Sequence, residues 1–165
     1  MVFLVTFVCY GSHLPGDPRG SSDHVRRGHR RFFPPKPGLE NYCRRAMNEP
    51  AYLLESRESR EVVRTAIVDV CGFRRWFLYA LHVRTNHVHG VVRADANPSR
   101  VLNDWKAYAT RSLRLSGSVA PGRRIWAGSG NIAVIKSSAV LASAIRYVLE
   151  KQGEPMATYC ADERF

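Results

Sequence analysis

At 165 residues and 45% apolar content, the chain is long enough for one domain spanning 1–165 and too apolar for a disordered polymer. No apolar run approaches the roughly 20 residues needed to cross a bilayer. The formal charge of +11 is carried mainly by arginines, the exceptions being Lys36, Lys106, Lys136 and Lys151; the guanidinium fork matches phosphate oxygens bidentately, so the composition points to nucleic acid as partner ahead of a generic basic surface or an anionic membrane.

Val2 to Tyr10 is rich in β-branched and aromatic residues and predicts a first, central strand ending at Gly11. This stretch has neither a basic leader nor a small-residue cleavage site, and Cys9, Cys43, Cys71 and Cys160 form no Cys-x-x-Cys pair. Both features suit buried, reduced thiols in a cytoplasmic protein. Residues 11–49 then lose periodicity. Prolines and glycines punctuate a basic segment holding Arg19, Arg26, Arg27, Arg30, Arg31, Arg44 and Arg45, which predicts a long basic loop that touches nucleic acid.

A helix is predicted over 56–71, with Val62, Val63, Ala66, Ile67, Val70 and Cys71 at helical spacing and Gly72 as its stop. Strands follow at 75–82 and 86–93, joined by a link short enough for a hairpin. Asn97-Pro98 supplies a cap and first-turn proline for a helix that buries Val101, Leu102, Trp105, Ala109 and Leu113 and carries Lys106, Arg111 and Arg114 elsewhere. Short strand pieces are expected at Ile125-Trp126 and Asn131–Lys136, and a last helix over 139–151, capped by Ser137 or Ser138. The order β-α-β-β-α-β-α suits an α+β, ferredoxin-like antiparallel sheet with its helices packed on one face.

Within the third strand, Asn86-His87-Val88-His89-Gly90 places two imidazoles on one face, because strand side chains alternate. Two neutral imidazoles one row apart are suited to grip a divalent metal, given a third ligand and an orienting shell. His82 on the preceding strand reads as a core histidine. Tyr147 flanks the buried stripe of the last helix, where a ring can pack while its hydroxyl faces a cleft. No phosphate loop, serine elbow or carboxylate cluster competes with these residues.

On these motifs the chain resembles the HUH-type single-tyrosine transposases, the insertion-sequence and REP-associated tyrosine transposase family. The opening Thr6–Gly20, Lys106-Ala107-Tyr108-Ala109-Thr110-Arg111 and the closing Tyr147-Val148-Leu149-Glu150-Lys151-Gln152-Gly153 are similar to members of it, so the resemblance runs along nearly the whole chain. It implies a metal-dependent single-strand DNA endonuclease and strand transferase acting on hairpin-bearing element ends. His87 and His89 would hold Mg²⁺ or Mn²⁺, and Tyr147 would be the nucleophile that forms a 5′-phosphotyrosine link. Members include homodimers that share sites and monomers that do not. A Gln or Asn four residues after the tyrosine often completes the metal site, but that position here is Lys151. The resemblance then favours Gln152 as third ligand, helical geometry favours Glu150, and Lys151 is left to contact phosphate. Arg19, Arg26, Arg27, Lys106 and Arg111 are the further candidates for binding single-stranded DNA. The alternatives are an inactive hairpin-binding module of the same fold and an RNA-binding ferredoxin-like domain, the latter lacking the usual aromatic signature.

Overall fold

The computed structural model describes residues 1–19, 21–25 and 29–161, with backbone alone for the strands within 21–33. In chain order these form β1 (Val2–Val8), β2 (Ser21–Val25), β3 (His29–Phe33), α1 (Pro37–Arg45), α2 (Arg57–Arg74), β4 (Phe77–Val83), β5 (His87–Arg93), α3 (Pro98–Leu115), β6 (Asn131–Ile135), α4 (Ser138–Glu150) and β7 (Ala157–Cys160). A five-stranded sheet in the order β6-β1-β5-β4-β7 is antiparallel throughout. Its first four strands have the split β-α-β order of ferredoxin-like folds. The α+β class read from the sequence is therefore the observed one.

Strand alternation divides the core. On one face Phe3, Val5 and Phe7 of β1, Val88 and Val92 of β5 and Leu78, Leu81 and Val83 of β4 are buried against Val63, Ile67 and Val70 of α2 and Val101, Trp105, Ala109 and Leu113 of α3. On the other face Val2, Leu4, Phe77, Tyr79, Ala80 and Val91 meet Ala144 and Val148 of α4. A register shift between Leu78 and Ala80 puts Tyr79 and Ala80 in succession on this second face, so that Phe77 and His82 share it across the irregularity. The expectation of helices on one face is thus corrected. These strands are apolar on both faces, and a helix on one side alone would leave the second set in water.

The helix ends follow from capping chemistry. Ser56, Asn97 and Ser137 each accept a hydrogen bond from a first-turn amide, at Ser59, Ser99 and Val140 respectively. Helix α2 does not stop at Gly72. It continues to Arg74, and Arg75 takes the left-handed conformation (φ 58°) while Trp76 N–H bonds Cys71 C=O and Arg75 N–H bonds Gly72 C=O, a Schellman closure.

The segment 11–49 is also corrected, since it contains the β2-β3 hairpin and α1 rather than loop alone. Ser21-Ser22-Asp23-His24-Val25 has no apolar alternation to announce a strand, and α1 buries no residue against the core. Strand β7, four residues long, was likewise below the length at which a pattern can be read. Cys9 and Cys71 are buried, Cys43 is half-buried and Cys160 exposed, and all four are free thiols. Among the described residues no helix is long and apolar enough to cross a membrane.

Gly90 is required by a close approach: a Cβ there would lie 2.7 Å from Cη2 and 2.9 Å from Cζ3 of Trp105, which is fully buried. Gly90→Ala is expected to lose about 1–3 kcal/mol of stability through overpacking of this rigid ring, as measured by urea unfolding. An unchanged midpoint would show that the indole does not hold the strand.

Candidate functional site

His87 and His89 point from β5 to the α4 face, with ring centroids 4.6 Å apart and planes at 73°. Each ring is tied at Nδ1. His87 Nδ1–H donates to Asn86 Oδ1 at 2.6 Å, and Thr6 Oγ1, cross-strand on β1, lies 2.7 Å from His89 Nδ1. A carboxamide oxygen only accepts, so the proton of His87 is on Nδ1 and its Nε2 carries the lone pair. That Nε2 is buried and has no hydrogen-bond partner among the described residues. The Thr6 hydroxyl can donate or accept, so its bond orients the His89 ring without fixing the tautomer.

Burial is the main cause that pushes His87 down to about 4 and His89 down to about 3. The side chain of Gln152 acts against it, favouring the charged form of both rings. Arg84 and His82 push both rings down, Arg19 adds to this at His87, and His87 itself does so at His89. The pair is therefore neutral near pH 7, as ligation of a metal requires. An orphaned, buried nitrogen beside a second neutral imidazole fits a divalent ion, and Asn86 and Thr6 are the orienting partners such ligands need.

Tyr147 reaches the same place from α4. Ala144 and Val148, buried against the sheet, fix the rotation of the helix, and the Tyr147 ring stands edge-on to His89 with centroids 5.7 Å apart. It keeps 44% of its surface exposed. The helix ends at Glu150, and Lys151 leaves helical geometry (φ −102°, ψ 16°) with its N–H on Tyr147 C=O at 3.2 Å. Gln152 is thereby released from helical phase and folds back, its Nε2 donating to the same carbonyl at 3.3 Å, with its amide facing both imidazoles. Glu150 instead lines a groove with Leu141, Ala142, Ile145, Arg146 and Leu149. Among the described residues no three His, Cys, Asp or Glu side chains form a metal-holding group, so no carboxylate joins the pair.

His82 is structural. Its Nδ1–H donates to Val148 C=O at 3.0 Å near the end of α4, and its Nε2 accepts from Met156 N–H at 3.1 Å just before β7. One buried ring thus ties the tyrosine helix and the edge strand to β4.

The basic candidates are divided by the sheet. Arg19 lies on the histidine side, close enough for its charge to disfavour protonation of His87. Lys106 is on the α2/α3 side, where its ammonium donates to Ala127 C=O and Ser129 C=O at 2.8 and 2.9 Å and burial lowers its pKa to about 8. Arg111 lies over the ring of Tyr108, and with Arg114 and Asn103 lines an open groove on α3. Lys151 is exposed at the end of α4. Arg26 and Arg27 fall outside the described residues. Sequence reading missed Thr6, Asp17 and Arg84 at this site; Asn86 was visible only as a neighbour in the motif.

No family model matches the chain, and no curated protein sequence matches it. Among solved structures its fold is similar to that of a REP-associated tyrosine transposase bound to a REP hairpin, with a TM-score of 0.54 and 14% identity over 91% of this chain. The match covers 65% of that protein, so the present chain spans a little under two thirds of its length. At this identity the likeness is one of fold.

Replacing His82 by Phe leaves the buried Val148 carbonyl and the Met156 amide without their side-chain partner at once. His82→Phe is expected to cost about 2–4 kcal/mol in urea unfolding and to abolish slow hydrogen exchange at the Met156 amide. Retained protection at Met156 would contradict the tie.

Proposed function

We propose that the chain is a metal-dependent nuclease and strand transferase for single-stranded DNA carrying a hairpin. The observation that carries this reading is the convergence of a half-exposed phenol with two neutral imidazoles, the buried His89 and the half-buried His87, whose Nε2 is buried without a partner among the described residues. The fold shared with a hairpin-bound tyrosine transposase and the arginine-rich composition support it.

In this reading His87 Nε2, His89 Nε2 and the Gln152 side-chain oxygen would hold Mg²⁺ or Mn²⁺. Imidazole donors suit Mn²⁺ better than the harder Mg²⁺. When bound, the ion supplies Lewis-acid polarisation of the scissile phosphate and stabilises charge on its oxygens. Asn86 holds His87 in the ligating tautomer and Thr6 orients the His89 ring. The Tyr147 phenol oxygen attacks phosphorus, its proton passing to solvent through the exposed side of the ring. The P–O3′ bond breaks, the departing oxygen takes up a proton as a free 3′-hydroxyl, and the downstream strand stays linked to Tyr147 through its 5′-phosphate. Attack by a second 3′-hydroxyl reverses the step, which conserves the phosphodiester energy and needs no nucleotide.

The experiment is incubation with hairpin oligonucleotides of randomised flanks, labelled at the 3′ end, in Mn²⁺. A covalent labelled adduct is expected for the parent protein and none for Tyr147→Phe or His87→Ala. Hairpin binding without an adduct under all metals tried would support an inactive hairpin-binding module, and tighter metal-independent binding of single-stranded RNA would support an RNA-binding domain.

Two further substitutions read the ligand set. Asn86→Ala and Gln152→Ala are each expected to raise the Mn²⁺ concentration for half-maximal adduct formation by about 10–100-fold, whereas Glu150→Ala leaves it unchanged. A shift for Glu150→Ala with none for Gln152→Ala would reverse the assignment.

A further inference from the structure

The loop that leaves β1 carries an ion pair of unusual construction. Asp17 has a carboxylate side chain only 8% exposed, and Arg19 holds its pKa down to about 2 through direct hydrogen bonding. Arg19 approaches it from three donors: its main-chain N–H at 2.9 Å and Nε at 2.8 Å go to Oδ1, and Nη2 at 2.7 Å goes to Oδ2. A fourth bond runs from Nη2 to Ser12 C=O at 3.1 Å. The guanidinium plane is therefore fixed through Nε and Nη2, and the side chain remains 58% exposed.

A chain of hydrogen bonds sets this group beside the histidines. Ser12 N–H donates to Cys9 C=O, Cys9 N–H donates to Asn86 C=O, and Asn86 Oδ1 holds His87. Arg84 stands on the turn between β4 and β5, its Nη1 donating to Glu154 C=O at 2.9 Å. The charges of both guanidinium groups disfavour protonation of His87. An exposed surface ion pair alone contributes little to stability. A buried carboxylate that immobilises an exposed guanidinium is the arrangement that lowers the entropic cost of binding a fixed anion.

We infer that Asp17 is a positioning residue: it engages the Nε/Nη2 edge of Arg19 and so aims the remaining Nη1 at one backbone phosphate of the strand, a phosphate other than the one cleaved at His87 and His89. The inference rests on the nuclease reading for the identity of the strand. Arg19 binds the phosphate through Nη1, and Asp17 acts only through Arg19.

The test uses the full chain carrying Tyr147→Phe, so that binding is read apart from cleavage, with the hairpin oligonucleotide bound most tightly from the randomised pool. Arg19→Ala and Arg19→Lys are each expected to weaken binding about tenfold or more, because lysine keeps the charge but not the planar guanidinium. Asp17→Asn should weaken it less. Methylphosphonate placed at successive linkages should abolish the difference between parent and Arg19→Ala at one linkage only, a coupling that a merely structural role in the loop would not produce. Arg19→Lys binding within twofold of the parent, or a loss independent of methylphosphonate position, would overturn the inference. An adduct-forming protein without this coupling would leave the nuclease reading standing and remove the Arg19 contact; coupling in a protein that forms no adduct would do the reverse.

Discussion

The geometry of the site depends on the alternation of β5, held in register from both faces. Val88, Gly90 and Val92 face α2 and α3, with Trp105 against the hydrogen side of Gly90, while His87, His89 and Val91 face α4. A slip of one residue would send both imidazoles into the apolar core and expose the valines, so the packing of one face dictates what the other presents. The Thr6–His89 pairing fixes the register on one side and the His82–His89 pairing on the other.

Helix α4 converts that strand into a site. Its buried Ala144 and Val148 aim Tyr147 at His89, and the hydrogen bond from His82 to Val148 C=O secures the helix end. The helix stops just where a regular continuation would turn Gln152 away from the imidazoles. Loss of helical phase at Lys151 lets the Gln152 amide fold under Tyr147, so that a residue five positions beyond the tyrosine adjoins the same two rings. The irregular end is thus part of the site. Cationic groups are divided accordingly: the charges of Arg19 and Arg84 act on His87, while Lys106 is engaged by carbonyls behind the sheet.

Elements with strong periodicity were legible in the sequence. The first strand, α2, the β4-β5 pair and α3 announce themselves by apolar spacing and caps, and the His-x-His pair by strand alternation. The β2-β3 hairpin and α1 were not legible, because the strands are largely polar and α1 is a short, polar helix that buries no residue, set among prolines and glycines that read as loop. The side on which α4 packs was hidden for another reason: it depends on both faces of the strands being apolar and on the β4 irregularity at Tyr79 and Ala80, neither of which a helix pattern reports. At the site, residue types were readable and partnerships were not. Asn86 as the acceptor for His87, the two ties of His82 and the Asp17–Arg19 pair depend on neighbours brought together by folding.

On the metal-nuclease reading, His87, His89 and Gln152 would bind one ion in front of Tyr147. A crystal structure of the protein soaked in Mn²⁺, with anomalous differences collected to locate the ion, tests it most directly. The expected result is one strong peak bonded to Nε2 of both histidines and to the Gln152 side-chain oxygen, with the Tyr147 hydroxyl on its open side. A peak bound by Glu150, or none between the imidazoles, would contradict it.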